Sequence, residues 1–209
     1  MKSNLFPIAK EGWNWVVGAV ITFLVALFLD FDFLEFLSFL ATLFFLFVFR
    51  NPEREYLLYQ EESVVASVDG TVASIEEMAD GYKVVIEGSY FNVSLLRAPF
   101  SATLEDITIK RGARLSSLSP LSQDLNEQVE LLFSDKKSLN KIKIVHMLKQ
   151  SFAPIAINVA ENQSMMQGSR YGLMVNGTTT LYLPTNFRLN VSVGSELVAS
   201  ETLVGYFTL

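Results

Sequence analysis

The sequence contains no cysteine and only one histidine, and both shortages exclude common kinds of active site. Without thiols there is no disulfide, no thiolate zinc site and no cysteine nucleophile. With His146 as the sole imidazole, a metal site built from several histidines is excluded as well, and we predict no metal ligands. His146 lies in the apolar run IKIVHML, where a single histidine is more often a packed core residue than a catalyst.

Positive charge is also scarce. The chain of 209 residues has 16 lysines and arginines against 22 aspartates and glutamates, which gives a net charge of -6. Binding to a nucleic-acid backbone needs clustered cations, and the sequence has no such cluster. Nucleic acid is therefore not predicted as a partner.

Charge of either sign is nearly absent at the amino-terminal end. Between Trp13 and Phe49 the only ionisable residues are Asp30, Asp32 and Glu35. The apolar runs 13–29 and 33–49 each approach the roughly 20 residues that a helix needs to cross a bilayer. The linker DFD is long enough only for a turn. The pattern predicts a two-helix membrane hairpin over residues 13–49 rather than a cleaved signal peptide.

The flanks of this hairpin predict its orientation. Cations precede the first run and follow the second, namely Lys2, Lys10, Arg50 and Arg54. Since positive flanks stay in the cytoplasm, residues 1–12 and the remainder, 50–209, are both expected on the cytoplasmic side of the inner cell membrane.

Residues 50–209 consist of short runs in which apolar and polar side chains alternate, such as SVVASVDGTVASIEE, YKVVIEG and KIKIVHML. Gly, Asp and Pro separate the runs, and no long helical period appears after residue 55. This pattern predicts a mainly β domain with the architecture of a small barrel or sandwich.

Several motifs occur in an order that is informative as a set. FRNPERE follows the apolar hairpin directly, and SVDGTV, NVSLLRAPF, LNEQ, GSRYGLM with YLP, and VGSELVASETLVG come after it. Over about residues 45–206 this series resembles the short-form phosphatidylserine decarboxylases.

The resemblance implies a proenzyme that cuts itself at a Gly-Ser bond. The new amino-terminal residue becomes a pyruvoyl group, whose carbonyl forms a Schiff base with the serine headgroup and accepts electrons as carbon dioxide leaves. It also implies a membrane phospholipid of the phosphatidylserine type as the partner. Assembly with further copies of the same chain stays open.

The catalytic positions of that family are only partly kept. Asp69 matches the family's carboxylate, although an Asp-Gly pair is also an ordinary hairpin corner. The family's histidine falls on Ser94, and a serine cannot accept a proton near neutral pH as imidazole does. His146 does not match the motif, and it could substitute only if the fold brings it to the cut site.

The cut site itself can be placed in two registers. Counted forward from GSRYG, it falls on Gly177-Thr178; counted back from YLP, it falls on Asn176-Gly177, because this chain is one residue shorter there. The first register keeps a hydroxyl nucleophile, and Thr178 would then yield a 2-oxobutanoyl group. The second register removes the nucleophile.

Positions expected to bind the substrate differ as well. Asn126-Glu127 is kept, but the family's next arginine is Gln128, and an arginine pair is replaced by Ala153-Pro154. Two arginines, Arg97 and Arg170, remain as candidate phosphate ligands, with solvated strand-end charges as the alternative.

The sequence thus predicts a phosphatidylserine decarboxylase-like membrane protein with impaired or absent self-cleavage. The alternatives are a working decarboxylase with a threonine-derived cofactor, and a tethered β domain with an unrelated structural role.

Overall fold

A computed structural model describes residues 7–54, 62–116, 118–135 and 140–208. The chain divides into two compact units, Met1–Glu53 and Arg54–Leu209. Lys2, which contributes to the predicted orientation, lies outside the described residues.

The first unit is a pair of helices. A 3₁₀ turn, Lys10–Gly12, leads into α1 (Trp13–Phe28), and α2 (Asp32–Val48) follows after a short turn. The two helices run antiparallel, because the Trp15 ring packs 5.5 Å from Phe45 and the Phe23 ring packs 6.1 Å from Phe39.

One helical segment within the described residues, Lys10–Phe28, is long and apolar enough to cross a membrane. The helix that follows it, α2, has 17 residues. Most large apolar side chains of both helices are exposed in the protein itself, with Phe28 at 87% and Phe33 at 77%. Such surfaces need a non-aqueous environment or a covering partner.

The second unit is built from strands, with one short helix, α3 (Ser122–Leu125), among the described residues. The prediction of a mainly β fold is confirmed. The strands are β1 (Ser63–Val65), β2 (Gly70–Met78), β3 (Gly81–Glu87), β4 (Leu95–Arg97), β5 (Ala102–Lys110), β6 (Gln128–Ser134), β7 (Lys141–Leu148), β8 (Ala156–Ile157), β9 (Ser164–Met165), β10 (Arg170–Leu173), β11 (Gly177–Pro184), β12 (Phe187–Leu189), β13 (Glu196–Leu197) and β14 (Leu203–Phe207).

These strands form three antiparallel sheets in a sandwich-like arrangement. The largest has eight strands in the order β13-β2-β3-β11-β7-β6-β5-β9. Two three-stranded sheets, β1-β14-β12 and β4-β10-β8, complete the unit.

The alternation of buried and more exposed residues in β7 and β11 shows where the core lies. In β7 the side chains of Ile142, Ile144, His146 and Leu148 are fully buried, while their neighbours are exposed or half-buried. In β11 every second residue from Gly177 is buried in the same way. Because successive side chains of a strand point to opposite faces, one face of each strand builds the core.

Two candidate hairpin corners in the sequence, Asp69-Gly70 and the Gly-Thr step at Gly177-Thr178, are not corners in the structure. Asp69-Gly70 is not a hairpin corner, because β1 pairs with β14 whereas β2 pairs with β3. The bend near the predicted cut site is at Val175-Asn176, so that Gly177 and Thr178 are the first residues of β11. Strand pairing between residues far apart in sequence overrides the local turn signal in both places.

Candidate functional site

A small cavity lies where β3 ends and β11 begins. Its lining comes from three separate segments of the chain, namely Val68, Asp69, Gly88, Ser89, Asn92, Val93, Ser94, Leu96, Met174, Asn176, Gly177 and Thr179. Three positions that the family resemblance singles out, Asp69, Ser94 and Gly177, are therefore brought together by the fold. Its internal volume is about 10 Å³, which is about the space of one water molecule.

Asp69 joins three segments around this cavity. Its Oδ1 accepts a hydrogen bond from the Ala199 amide at 2.8 Å, and its Oδ2 accepts one from the Val93 amide at 3.4 Å. The Arg54 guanidinium lies 2.7 Å from the same Oδ2. Arg54 flanks the predicted membrane hairpin and belongs to the FRNPERE motif, but nothing in the sequence indicates that it pairs with Asp69.

Gly177 is constrained by close neighbours. A Cβ atom at this position would lie 2.5 Å from the Met147 carbonyl oxygen and 2.7 Å from the Met174 sulphur. The Gly177 carbonyl oxygen accepts a hydrogen bond from the Gly88 amide at 2.9 Å. In the Gly177-Thr178 register this is the carbonyl of the bond to be cut, and a donor at this place would stabilise negative charge that develops on the oxygen.

Ser94 is 6% exposed and lies directly before β4. Its carbonyl oxygen accepts a hydrogen bond from the Met174 amide at 2.8 Å, which ties the segment before β4 to the segment before β11. The position on which the motif resemblance places the family's histidine thus lines the cavity, and it carries a hydroxyl group.

Thr178 and Thr179 occupy opposite faces of β11. Thr179 is fully buried and lines the cavity, whereas Thr178 is half-buried and is not among the lining residues. Period-two alternation requires this opposition. The intact chain therefore does not present the side chain of residue 178 to the cavity.

His146 is a packed core residue, as predicted, and its side chain is fully buried. It lies directly opposite Thr179 in the register of β7 and β11. Its Nδ1 lies 2.8 Å from the Thr179 Oγ1, and its Nε2 lies 2.7 Å from the Tyr171 hydroxyl. Burial lowers the pKa of His146 to about 3 and raises the pKa of Tyr171, so both side chains are uncharged at neutral pH.

The two arginines predicted to bind phosphate face each other across β4 and β10, since Arg97 pairs with Arg170 in register. Arg97 is 1% exposed, and its Nη1 donates to the Gly168 carbonyl at 3.2 Å. Arg170 is half-buried. A ligand phosphate could reach Arg97 only if the residues that cover it moved, so Arg170 is the more accessible of the two.

The kept Asn126-Glu127 pair organises the neighbouring loops. The Glu127 carboxylate is 3% exposed, contacts Arg111, and lies 3.6 Å from the Arg114 guanidinium. Arg114 in turn donates to the carbonyls of Ser151 and Phe152, at 3.2 Å and 2.9 Å. The contacts of Glu127 are therefore structural ones within this chain.

No group of three or more His, Asp or Glu side chains that could hold a metal ion occurs in the part of the chain that the structure describes.

Comparison with known proteins identifies related chains over nearly the whole length. Residues 41–205 match the family model of phosphatidylserine decarboxylase. The phosphatidylserine decarboxylase proenzyme of Geobacter metallireducens is 31% identical, and the alignment covers 98% of this chain and 99% of the relative. The proenzymes of Geobacter sp. strain M21 and Desulfotalea psychrophila are 32% and 30% identical, over 98% and 95% of this chain and 99% and 96% of those relatives.

The chain belongs to the phosphatidylserine decarboxylase family. The resemblance that the order of motifs indicated is confirmed.

Proposed function

We propose that this chain is a membrane-anchored phosphatidylserine decarboxylase-like protein of phospholipid metabolism that remains one polypeptide, with impaired or absent self-cleavage and decarboxylation. The observation that carries the proposal is Ser94. It lines the cavity at the position where the family has an imidazole.

The missing imidazole affects a definite chemical step. In an N-to-O acyl shift, the Thr178 hydroxyl oxygen would attack the Gly177 carbonyl carbon, the peptide C–N bond would break, and the hydroxyl proton would pass by way of a base to the departing nitrogen. A positioned general base contributes about a hundred- to ten-thousand-fold to such a step. The Ser94 hydroxyl cannot supply that function near neutral pH.

His146 does not replace the lost base in this proposal. Its ring is directed to Thr179 and Tyr171 rather than to Thr178. Its lowered pKa, about 3, makes it a weak proton acceptor. The cavity, at about 10 Å³, also has no room for a phosphoserine headgroup while the chain is intact.

One observation favours the second candidate function, a working decarboxylase with a threonine-derived cofactor. The Gly88 amide already donates to the Gly177 carbonyl at 2.9 Å, as an oxyanion-stabilising group would. The carboxylate of Asp69 is retained and held in place by Arg54. In that case the 2-oxobutanoyl group from Thr178 would supply the electron-accepting carbonyl.

The lipid and membrane parts of the proposal rest on charge and hydropathy. We propose a phosphatidylserine-like phospholipid as the ligand, with Arg170, and Arg97 after local rearrangement, as the cations for its phosphate. The two apolar helices would anchor the chain in the inner membrane. Their cationic flanks support a cytoplasmic location for the β-rich unit.

Intact mass spectrometry of the full-length protein, purified in detergent, tests the proposal. We expect one chain at the full mass of 23.4 kDa. Two fragments, the smaller one beginning at residue 178 with a carbonyl in place of its amine, would refute the proposal and support the second candidate.

Further variants test why the chain is not cut. Ser94→His combined with Thr178→Ser should produce partial cutting, whereas Thr178→Ser alone should not, because it restores the less hindered nucleophile without the base. Adding Asp69→Asn to the double variant should abolish the cutting again. Cutting by Thr178→Ser alone would show that the base is not what is missing.

A further inference from the structure

The segment between β5 and β6 forms a closed loop that the proposed function does not use. Its two ends are joined by the Asn126 side chain, whose Oδ1 accepts from the Leu115 amide at 2.7 Å and whose Nδ2 donates to the Leu115 carbonyl at 3.0 Å. Residues 115–126, of which residue 117 lies outside the described ranges, are called the leucine loop below. Loops of this kind, compact and with adjacent ends, are frequently functional.

The leucine loop exposes apolar side chains at its surface. Leu118 is 92% exposed, Leu121 is 55% exposed and Leu125 is 49% exposed. A single exposed leucine needs no explanation. Three exposed leucines within eight residues of a loop with fixed ends, however, form an apolar tip.

The charge around this tip is slightly positive, although the chain as a whole is negative. Segment 110–127 carries three cations, Lys110, Arg111 and Arg114, against the carboxylates of Asp124 and Glu127, which gives a net charge of +1. The whole chain has a net charge of -6. An anionic surface would therefore repel this segment less than it repels the chain as a whole.

The leucine loop emerges at the same end of the large sheet as the cavity. The first residue of β6, Gln128, pairs with Met147 near the end of β7, and Met147 pairs with Thr178 at the start of β11. Directly before the loop, the Arg114 carbonyl accepts a hydrogen bond from the Gln150 amide at 3.1 Å. The Tyr90 hydroxyl donates to the Gln150 carbonyl at 2.5 Å.

A second exposed apolar side chain lies at this end. Phe91 is 79% exposed and belongs to the segment that supplies Ser89 and Asn92 to the cavity lining. Its neighbour Tyr90 stacks on Phe152 with ring centroids 6.0 Å apart. Two loops at one end of the sheet thus carry apolar tips beside the cavity.

We propose that the leucine loop and Phe91 are a second membrane contact, which inserts into the interfacial layer of an anionic phospholipid bilayer and directs the cavity towards the lipid. Apolar side chains bordered by cations bind such an interface through buried apolar area and attraction to anionic headgroups. The inference rests on the membrane anchoring in the proposed function, but not on whether the chain is cut.

A lipid surface fits these features better than a second protein. The apolar groups are separate side chains at the tips of two loops rather than a continuous face, whereas a stable protein interface buries about 800 Å² on each partner. The same chain also carries a helical segment long enough to cross a bilayer.

The absence of cysteine makes a direct test simple. Leu118→Cys, Leu121→Cys and Phe91→Cys are each labelled with an environment-sensitive fluorophore in the full-length protein. The protein is then placed in vesicles of phosphatidylcholine and phosphatidylglycerol, with or without spin-labelled lipid as a quencher. The matched control is Ala79→Cys, an exposed residue in the turn between β2 and β3 at the opposite end of the sheet.

For labels at residues 118, 121 and 91 we expect a blue shift of the fluorescence emission maximum and a loss of fluorescence intensity when the quenching lipid is present. A label at residue 79 should show neither change. The changes should diminish in vesicles of phosphatidylcholine alone. A signal at residue 118 no larger than that at residue 79 would overturn the inference. So would a blue shift that depends on the ratio of protein to lipid and is not quenched, because a second copy would then cover the tip.

Flotation of the same vesicles separates this inference from the proposed anchoring. If the chain floats but residue 118 is in water, only the inference on the leucine loop fails; if the chain does not float, both fail. As a further variant, Leu118→Ser with Leu121→Ser should leave flotation unchanged and reduce lipid quenching of the label at residue 91. Met78→Ser, which alters an exposed apolar residue at the opposite end, should not reduce it.

Discussion

Thr179 and His146 lie directly opposite each other on two central strands, and the Thr179 Oγ1 is 2.8 Å from the His146 Nδ1. The imidazole is neutral, so one of its nitrogens donates and the other accepts. One of the two hydroxyl groups, that of Thr179 or that of Tyr171, therefore accepts a hydrogen bond from the imidazole N–H, and the other donates to the unprotonated ring nitrogen. The network connects β7, β10 and β11 directly behind the predicted cut site.

Removal of the Thr179 hydroxyl should destabilise the domain. Thr179→Val keeps the shape of the side chain but leaves the buried Nδ1 without its partner, which costs about 1–3 kcal/mol. Urea unfolding of the full-length protein in detergent, followed by β-sheet circular dichroism, measures this cost. Thr180→Val, on the opposite and half-exposed face of β11, is the control. Equal stability of the two variants would contradict a role for the network.

Stability should depend on the protonation of His146. The folded-state pKa, about 3, lies below the ordinary value of 6.5, so the unfolded chain binds more protons between these two pH values. Stability from this group is then fully present above pH 6.5 and falls as the pH falls, by about 2 kcal/mol at pH 5. His146→Gln, which does not titrate, should show a flatter profile between pH 7 and pH 5. Because the chain has one histidine, the difference between the two profiles reports this residue alone.

Asn126 should control the order of the leucine loop. Besides its two bonds to Leu115, its Nδ2 donates to the Leu148 carbonyl at 2.8 Å. Asn126→Ala removes these bonds inside the protein, and we expect a loss of about 1–3 kcal/mol. Limited proteolysis should then cleave within residues 115–125 faster than in the wild type. Asn190→Ala, at an exposed position, should not change the cleavage rate. An unchanged rate in Asn126→Ala would show that other contacts hold the loop.

The strands of the domain could be predicted because their alternation is local. In KIKIVHML the apolar positions are the buried ones, and they place His146 in the core. The same rule separates Thr178 from Thr179, so the sequence contained the information that only one of two adjacent threonines could face a given cavity. The order of the family motifs instead indicates Thr178.

The pairing of distant segments could not be predicted in this way. The ion pair of Arg54 and Asp69 joins residues 15 positions apart, and β1 pairs with β14 near the other end of the chain. The loop with three exposed leucines carried no periodic signal, because its conformation comes from the side chain of Asn126 rather than from a repeating backbone pattern.

The position of β11 has a consequence for any nicked form of the protein. β11 is hydrogen-bonded to β3 on one side and to β7 on the other, and the residues after it supply β14, which pairs with β1 and β12. A chain severed before residue 178 would thus consist of two interlocked pieces that sediment as a single particle and separate only in denaturant. The hydrogen bonds of β11 and β14 to the larger piece need no covalent bond between residues 177 and 178.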